Sequence, residues 1–134
     1  MQRDVAGRGD AMEELADFSR AVVVVDDDAE MRSTLQELLE LQGYRVLTAG
    51  NGHEAIKLMS QKGAPALLIL DLRMPVMTGR QLLDLLQRHA ALREIPVVMV
   101  SATPEACPPE GVQACLLKPF QMSELMDVVR QHCR

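Results

Sequence analysis

Residues 66–79 read ALLILDLRMPVMTG, and the order of properties within this stretch decides the fold. An unbroken apolar run ends at Asp71, and a loop containing Pro75 and Gly79 then leads into leucines at helical spacing. A strand with one solvated face would alternate apolar and polar residues, so a continuous run indicates a strand covered on both faces. The stretch therefore predicts a buried strand, an acidic strand end and a helix that returns across the sheet.

The same order of strand and helix repeats from Ala21 onward. Right-handed crossovers between such units give an α/β fold with a doubly wound parallel sheet of five strands. The predicted strands are 21–26, 45–49, 66–70, 96–101 and 114–117. The predicted helices run from a cap near Asp28 to Gly43, over 52–62, through Leu82–Leu86 and over 122–133.

Between the fourth and fifth strands the pattern changes. Pro104, Pro108 and Pro109 fall in this segment, and proline removes a backbone donor and restricts the residue before it. The fourth helix of the expected series is therefore predicted to be short, distorted or absent.

Composition bounds the remaining possibilities. The 134 residues fit one domain, which we expect over 21–134 after a polar leader, 1–20, that forms a short helix or stays disordered. The net charge of −5 argues against a nucleic-acid surface, and no apolar run is long enough to span a bilayer. The three cysteines have neither metal-site nor disulfide spacing, which favours a reduced, cytoplasmic setting.

Polar residues stand at four of the five predicted strand ends. Because the carboxyl ends of parallel strands share one edge of the sheet, these residues should face one another. Carboxylates gathered there would repel, and a hard divalent cation with oxygen ligands, Mg²⁺ in the first place, would offset the repulsion. An Asp beside such a cation can attack phosphorus while an ammonium and a hydroxyl orient the phosphoryl oxygens. The polar residues at these four strand ends are Asp26, Asp27, Asp71, Ser101 and Lys118.

Several polar residues also have a plainer interpretation, although Asp26 and Asp27 are less easily explained in that way. Asp28 precedes a helix and is expected to be its N-cap. Lys118 alone could be a solvated loop lysine, and Ser101 alone could satisfy backbone groups at a strand end. The three histidines lack partners at catalytic spacing and are interpreted as solvated or structural. Only the joint placement of the strand-end residues favours chemistry.

Four segments in this order, VVVVDDD (22–28), LLILDLRMPVMTG (67–79), VVMVSA (97–102) and LLKPF (116–120), resemble the receiver domain of two-component response regulators. The resemblance covers about residues 21–134 and implies a flavodoxin-like sheet of strand order 2-1-3-4-5. It further implies a switch that catalyses only its own phosphorylation and dephosphorylation, with a phosphohistidine of a sensor histidine kinase or phosphotransfer protein as donor. Its output would be a changed surface for a downstream protein.

The resemblance also implies roles for individual residues. Asp71 would be the phosphoacceptor, Ser101 the switch hydroxyl and Lys118 the lysine that senses the phosphoryl group. Asp27 would bind Mg²⁺ directly, Asp26 would act on it through water, and the backbone carbonyl of Arg73 would be a further ligand.

The chain departs from that family between the fourth and fifth strands. Cys115 stands where receivers commonly carry a Tyr or Phe whose rotamer reports phosphorylation, and the segment ATPEACPPEGVQACLL (102–117) is shorter than usual. The resemblance then implies that this chain has no aromatic rotamer switch. Receivers commonly signal through the surface built from helix four, strand five and helix five, so dimerisation through that surface is in doubt for this chain.

Three other functions make different demands on these residues. A phosphatase of the haloacid dehalogenase type would need an acid two residues after the nucleophile, where Arg73 stands. A flavodoxin-like nucleotide carrier would place phosphate beside Asp26, Asp27 and Asp28, which would repel it. A receiver-like interaction module that is never phosphorylated is the remaining alternative.

Overall fold

The computed structural model describes residues 18–72, 77–102 and 112–133. They form five parallel strands and four helices. In chain order these are β1 (Val22–Val25), α1 (Ala29–Leu41), β2 (Val46–Ala49), α2 (Gly52–Lys62), β3 (Leu67–Asp71), α3 (Gly79–Gln87), β4 (Val97–Ser101), β5 (Ala114–Leu117) and α4 (Met122–His132).

The sheet has the order β2-β1-β3-β4-β5, and every neighbouring pair is parallel. This confirms the predicted fold and strand order. The bounds of α2 and β5 agree with the prediction, and the other strands differ from it by about one residue at an end. The fourth helix of the series, predicted to be short, distorted or absent, would fall largely on residues 103–111, which lie outside the described residues.

Two apolar layers cover the sheet, one on each face. Alternate residues of β1 point to opposite layers, since Val23 and Val25 pack with α2 and α3 whereas Val22 and Val24 pack with α1 and α4. Every residue of β1, β3 and β4 is buried. Burial on both faces explains why these strands read as continuous apolar runs.

The apolar layer under α2 and α3 includes Phe18, whose exposed fraction is 1 %. The Phe18 carbonyl also accepts a hydrogen bond of 2.9 Å from the amide of Ala21. The packed core therefore includes a residue of the segment that sequence alone assigned to the leader.

Local signals fix the ends of the helices. Asp28 caps α1, as predicted, by accepting from the amides of Glu30 (3.0 Å) and Met31 (3.3 Å). Beyond α1, Gly43 has a φ of +94°, a conformation that glycine adopts without steric cost. Thr78 and Gln81 form a capping box at the start of α3.

The cysteines differ from the sequence expectation. Cys115 on β5 is disulfide-bonded, whereas Cys133 after α4 is free and half-buried. Sequence spacing did not predict this bond, because pairing depends on distances that only the fold sets. Among the described residues, the helices are too short and too polar for any of them to cross a bilayer.

Candidate functional site

The carboxyl edge of the sheet carries the acidic residues that the sequence singled out. Asp26 and Asp27 follow β1 directly, and Asp71 is the last residue of β3, which pairs with β1. One carboxylate oxygen from each of the three residues lies within 4.8 Å of the others. The parallel register therefore brings together side chains that are about 45 residues apart in the chain.

The cluster is only partly open to solvent. Asp26 and Asp71 are buried, whereas Asp27 is exposed. Carboxylates at this separation and burial destabilise one another unless a cation lies among them. Three carboxylate oxygens are hard donors, so the residues present fit Mg²⁺.

Lys118 follows β5 and reaches back over the sheet to this cluster. Its Nζ lies 3.8 Å from Asp26 Oδ2 and 3.7 Å from Asp71 Oδ1. The exposed fraction of its side chain is 26 %, against 3 % for Asp26 and 9 % for Asp71. The ammonium group therefore lies at the mouth of a carboxylate pair that is itself nearly closed to water. Lys118 is thus part of the site rather than a solvated loop residue.

Ser101 ends β4, between the strand that carries Asp71 and the strand that precedes Lys118. It is buried, with an exposed fraction of 1 %, and its carbonyl accepts a 2.8 Å hydrogen bond from the Lys118 amide. The amide of Leu72 likewise donates to Val100 over 3.0 Å. These bonds continue the sheet beyond the strand ends and fix the backbone on which the site residues stand.

Of the predicted metal ligands, Arg73 lies outside the described residues. Asp28 takes no part in the acidic cluster, and its amide instead donates to Asp26 Oδ1 over 2.9 Å. One Asp26 oxygen therefore accepts from the α1 cap while the other faces Lys118.

Sequence reasoning missed two residues around the site. The guanidinium of Arg32, on α1, donates from Nη1 to the Asp26 carbonyl over 2.7 Å. Gly79 starts α3 so close to β3 that a Cβ there would lie 2.6 Å from the Asp71 carbonyl oxygen. Nothing in the spacing of Arg32 marks it, and Gly79 could be interpreted from sequence only as part of a turn.

Comparison with known proteins agrees with this geometry. Residues 22–130 match the family described as the response regulator receiver domain. The chain belongs to this receiver family. Receiver domains act as phosphoryl-transfer switches in two-component signalling, and the acidic cluster of this receiver is compatible with Mg²⁺.

Two relatives show in what kinds of protein similar receivers occur. This receiver is 34 % identical over 118 residues to a probable transcriptional regulator, ycf27, of Pyropia yezoensis, covering 84 % of this chain and 47 % of that protein. It is also 34 % identical over 125 residues to the sensor histidine kinase TmoS of Ectopseudomonas mendocina, covering 90 % of this chain and 13 % of that protein. The chain thus spans about half the first relative and a small part of the second.

A solved structure shows the same fold. The response regulator TrrA of Thermotoga maritima, in complex with Mg²⁺ and BeF, superposes with a TM-score of 0.75 at 27 % identity. The superposition covers 84 % of this receiver and 97 % of TrrA.

Proposed function

We propose that this receiver accepts a phosphoryl group on Asp71 and that the resulting charge changes a protein-binding surface. The observation that carries the proposal is the position of the Lys118 ammonium, within 4 Å of both Asp26 and Asp71, beside three mutually close carboxylates. A nucleophilic carboxylate, a cation site and an ammonium group are the parts that phosphoryl transfer to an aspartate needs.

Asp26, Asp27 and Asp71 would hold Mg²⁺, with the Arg73 carbonyl as a further ligand by resemblance to the family. Bound there, the cation would neutralise charge on the phosphoryl oxygens during in-line transfer. The Asp71 carboxylate oxygen forms a bond to phosphorus as the bond from phosphorus to the donor nitrogen breaks. The receiver in this way catalyses its own phosphorylation, and hydrolysis of the acyl phosphate by water restores the carboxylate.

Phosphorylation replaces one carboxylate charge at Asp71 with a larger charge on three strong acceptor oxygens. Lys118, already 3.7 Å from Asp71, then pairs with the phosphoryl group, and the Ser101 hydroxyl donates to it. Because Lys118 pairs with the phosphoryl group, its ammonium interacts less strongly with the Asp26 carboxylate. These rearrangements favour one of two pre-existing conformations, and this shift in population changes a surface that is distant from Asp71.

A phosphohistidine on a sensor histidine kinase or a phosphotransfer protein would be the donor. Support comes from the receiver family and from the similarity to part of a sensor histidine kinase. The downstream partner would be a protein that recognises the altered surface.

The cytoplasm is the compartment in which such donors are made, and we propose it for this chain. The disulfide at Cys115 argues the other way, because disulfides persist mainly in oxidising compartments. Counting alkylated cysteines in protein trapped rapidly from cells tests the point. A reduced Cys115 would support the cytoplasm, and a quantitative disulfide would oppose it.

The test of the function is intact mass after incubation with acetyl phosphate, with and without Mg²⁺, for the wild type and Asp71→Asn. A gain of one phosphoryl group that needs Mg²⁺ and is absent from the variant is the expected result. No gain, together with no binding of Mg²⁺ or beryllofluoride, would favour the receiver-like module that is never phosphorylated.

A further inference from the structure

The main chain of Asp26 lies at a point where the sheet stops. The Asp26 amide donates to the Ala49 carbonyl over 3.2 Å, so both its N–H and its C=O face β2. Continuation of the parallel ladder would bring the Asn51 amide to the Asp26 carbonyl. The chain turns away instead, because Asn51 is the N-cap of α2.

A buried carbonyl at a sheet edge needs a donor from elsewhere. Within 18–72, 77–102 and 112–133, no main-chain amide donates to the Asp26 carbonyl. Arg32 supplies the donor, since its Nη1 lies 2.7 Å from this oxygen. The Arg32 amide is itself fixed in the first turn of α1 by the Asp28 carbonyl at 2.9 Å. The guanidinium thus ties the end of β1 to α1.

The β2–α2 turn packs against the same guanidinium. A Cβ on Gly50 would lie 3.2 Å from Arg32 Nη1 and 3.4 Å from Glu54 Oε1. The Gly50 amide donates to Glu54 Oε1 over 2.7 Å, which fixes the turn in this position. Arg32 therefore lies between the two loops that follow β1 and β2, in a space left by the missing side chain at position 50.

We propose that Arg32 is a positioning residue that sets the affinity of the carboxylate cluster for its divalent cation. The inference rests on the proposed function only for the identity of that cation. Arg32 touches no carboxylate oxygen of the cluster in the described contacts, and it acts through the backbone of Asp26. Any rotation of that peptide moves the Asp26 carboxylate relative to Asp71 and Lys118.

The direction in which Mg²⁺ affinity changes when Arg32 is replaced distinguishes a positioning role from a simple effect of its charge. Arg32 is a cation close to a cation site, so through-space repulsion alone predicts that its removal tightens Mg²⁺ binding. Loss of positioning predicts the reverse, because outer contacts of a metal site orient its ligands. The two explanations therefore give opposite results in one titration.

The experiment is calorimetric titration of the full chain with Mg²⁺, for the wild type, Arg32→Met and Arg32→Lys. Met keeps the apolar stem without donors, and Lys keeps a donor and the charge. Arg130→Ala is the matched control, because Arg130 is exposed on α4 and its guanidinium pairs with the exposed Asp127. Thermal unfolding in EDTA is recorded first, and Arg32→Gln replaces Arg32→Met if that variant does not fold.

We expect the Mg²⁺ dissociation constant to rise about tenfold in Arg32→Met, to recover at least in part in Arg32→Lys, and to stay unchanged in Arg130→Ala. Amide hydrogen exchange of Asp28 and Gly50 in the metal-free protein should speed up in Arg32→Met alone. An unchanged or tighter dissociation constant in Arg32→Met overturns the inference. A wild type that binds no Mg²⁺ would instead overturn the proposed cofactor, so the two failures are distinguishable.

Discussion

Lys118 and Asp71 are 47 positions apart in the chain, yet Lys118 Nζ lies 3.7 Å from Asp71 Oδ1 and almost as close, at 3.8 Å, to Asp26 Oδ2. One ammonium group therefore forms ion pairs with two buried carboxylates, which follow β1 and end β3. It occupies the space beside the oxygens that would bind the cation, so Lys118 and Mg²⁺ compete electrostatically for the same charges.

Replacing this lysine should affect metal binding and stability in opposite directions. Lys118→Met removes a positive charge beside the cation, so we expect Mg²⁺ to bind roughly fivefold to tenfold more tightly. In EDTA the same variant leaves the carboxylates without their shared cation and should lose about 1–2 kcal/mol, a value discounted for the partial exposure of Lys118. Calorimetry with Mg²⁺ and urea unfolding in EDTA measure the two effects. Weaker Mg²⁺ binding in Lys118→Met would contradict the competition.

Neutralising Asp71 should stabilise the metal-free protein. Among the described residues, the cluster holds three carboxylates against one ammonium group, so Asp71→Asn relieves repulsion in a buried site and should add about 1 kcal/mol to the free energy of unfolding in EDTA. The variant should also lose most of the stabilisation that Mg²⁺ gives the wild type, which is about 2.7 kcal/mol at a hundredfold excess over the dissociation constant. Asp84→Asn, on the exposed face of α3, is the control. It should change neither the stability in EDTA nor the stabilisation by Mg²⁺.

Asp28 offers a test that separates helix capping from metal binding. Asp28→Ala removes the acceptor for the Glu30 and Met31 amides and should cost about 1 kcal/mol, whereas Asp28→Asn keeps a capping oxygen and should cost little. Neither variant should alter the Mg²⁺ dissociation constant more than modestly, because the Asp28 carboxylate caps α1 and is not in the cluster. A large loss of affinity in Asp28→Asn would show that its charge belongs to the metal site.

Gly79 is predicted to be intolerant for a steric reason. A Cβ there would meet the Asp71 carbonyl oxygen at 2.6 Å and the Leu72 Cα at 2.9 Å, and backbone atoms cannot move aside as side chains can. Gly79→Ala should therefore cost about 2–3 kcal/mol. Gly43→Ala has free space around it but a φ of +94°, and should cost only about 1 kcal/mol. Denaturant midpoints compare the two, and an equal cost would mean that the close approach of α3 to β3 is readily relaxed.

Phe18 decides where the folded unit can be cut. Its side chain is buried with Val23, Leu82 and Met99, so Phe18→Ala should destabilise the protein by about 3–4 kcal/mol. A truncated chain that begins at Ala21 should lose a similar amount of unfolding free energy. A truncated chain that begins at Phe18 should retain more of the stability of the full chain. Thermal unfolding of the two truncations measures the difference. Equal midpoints would show that the domain starts at Ala21, as the sequence pattern predicted.

Much of the fold could be predicted because the signals are local. Continuous apolar runs marked β1, β3 and β4, and glycines at positions 43 and 63 marked the ends of α1 and α2. Strand ends differed by about one residue, since a strand ends where its ladder of hydrogen bonds ends and this depends on the neighbouring strand. The disulfide at Cys115 escaped prediction because it depends on tertiary distance.

By itself, the sequence determined the parallel sheet and the identities of the residues at its carboxyl edge. Each apolar run ends in a named polar residue, and parallel pairing then sends Asp26, Asp71 and Lys118 to one place. Only the tertiary structure decided what surrounds them. Arg32 reaches the Asp26 carbonyl because the chain turns into α2 before the Asn51 amide can bond it, and Met77 lies over Gly52 because no side chain blocks it. Such contacts depend on where two separate elements stop relative to each other, and no local pattern of residues encodes that distance.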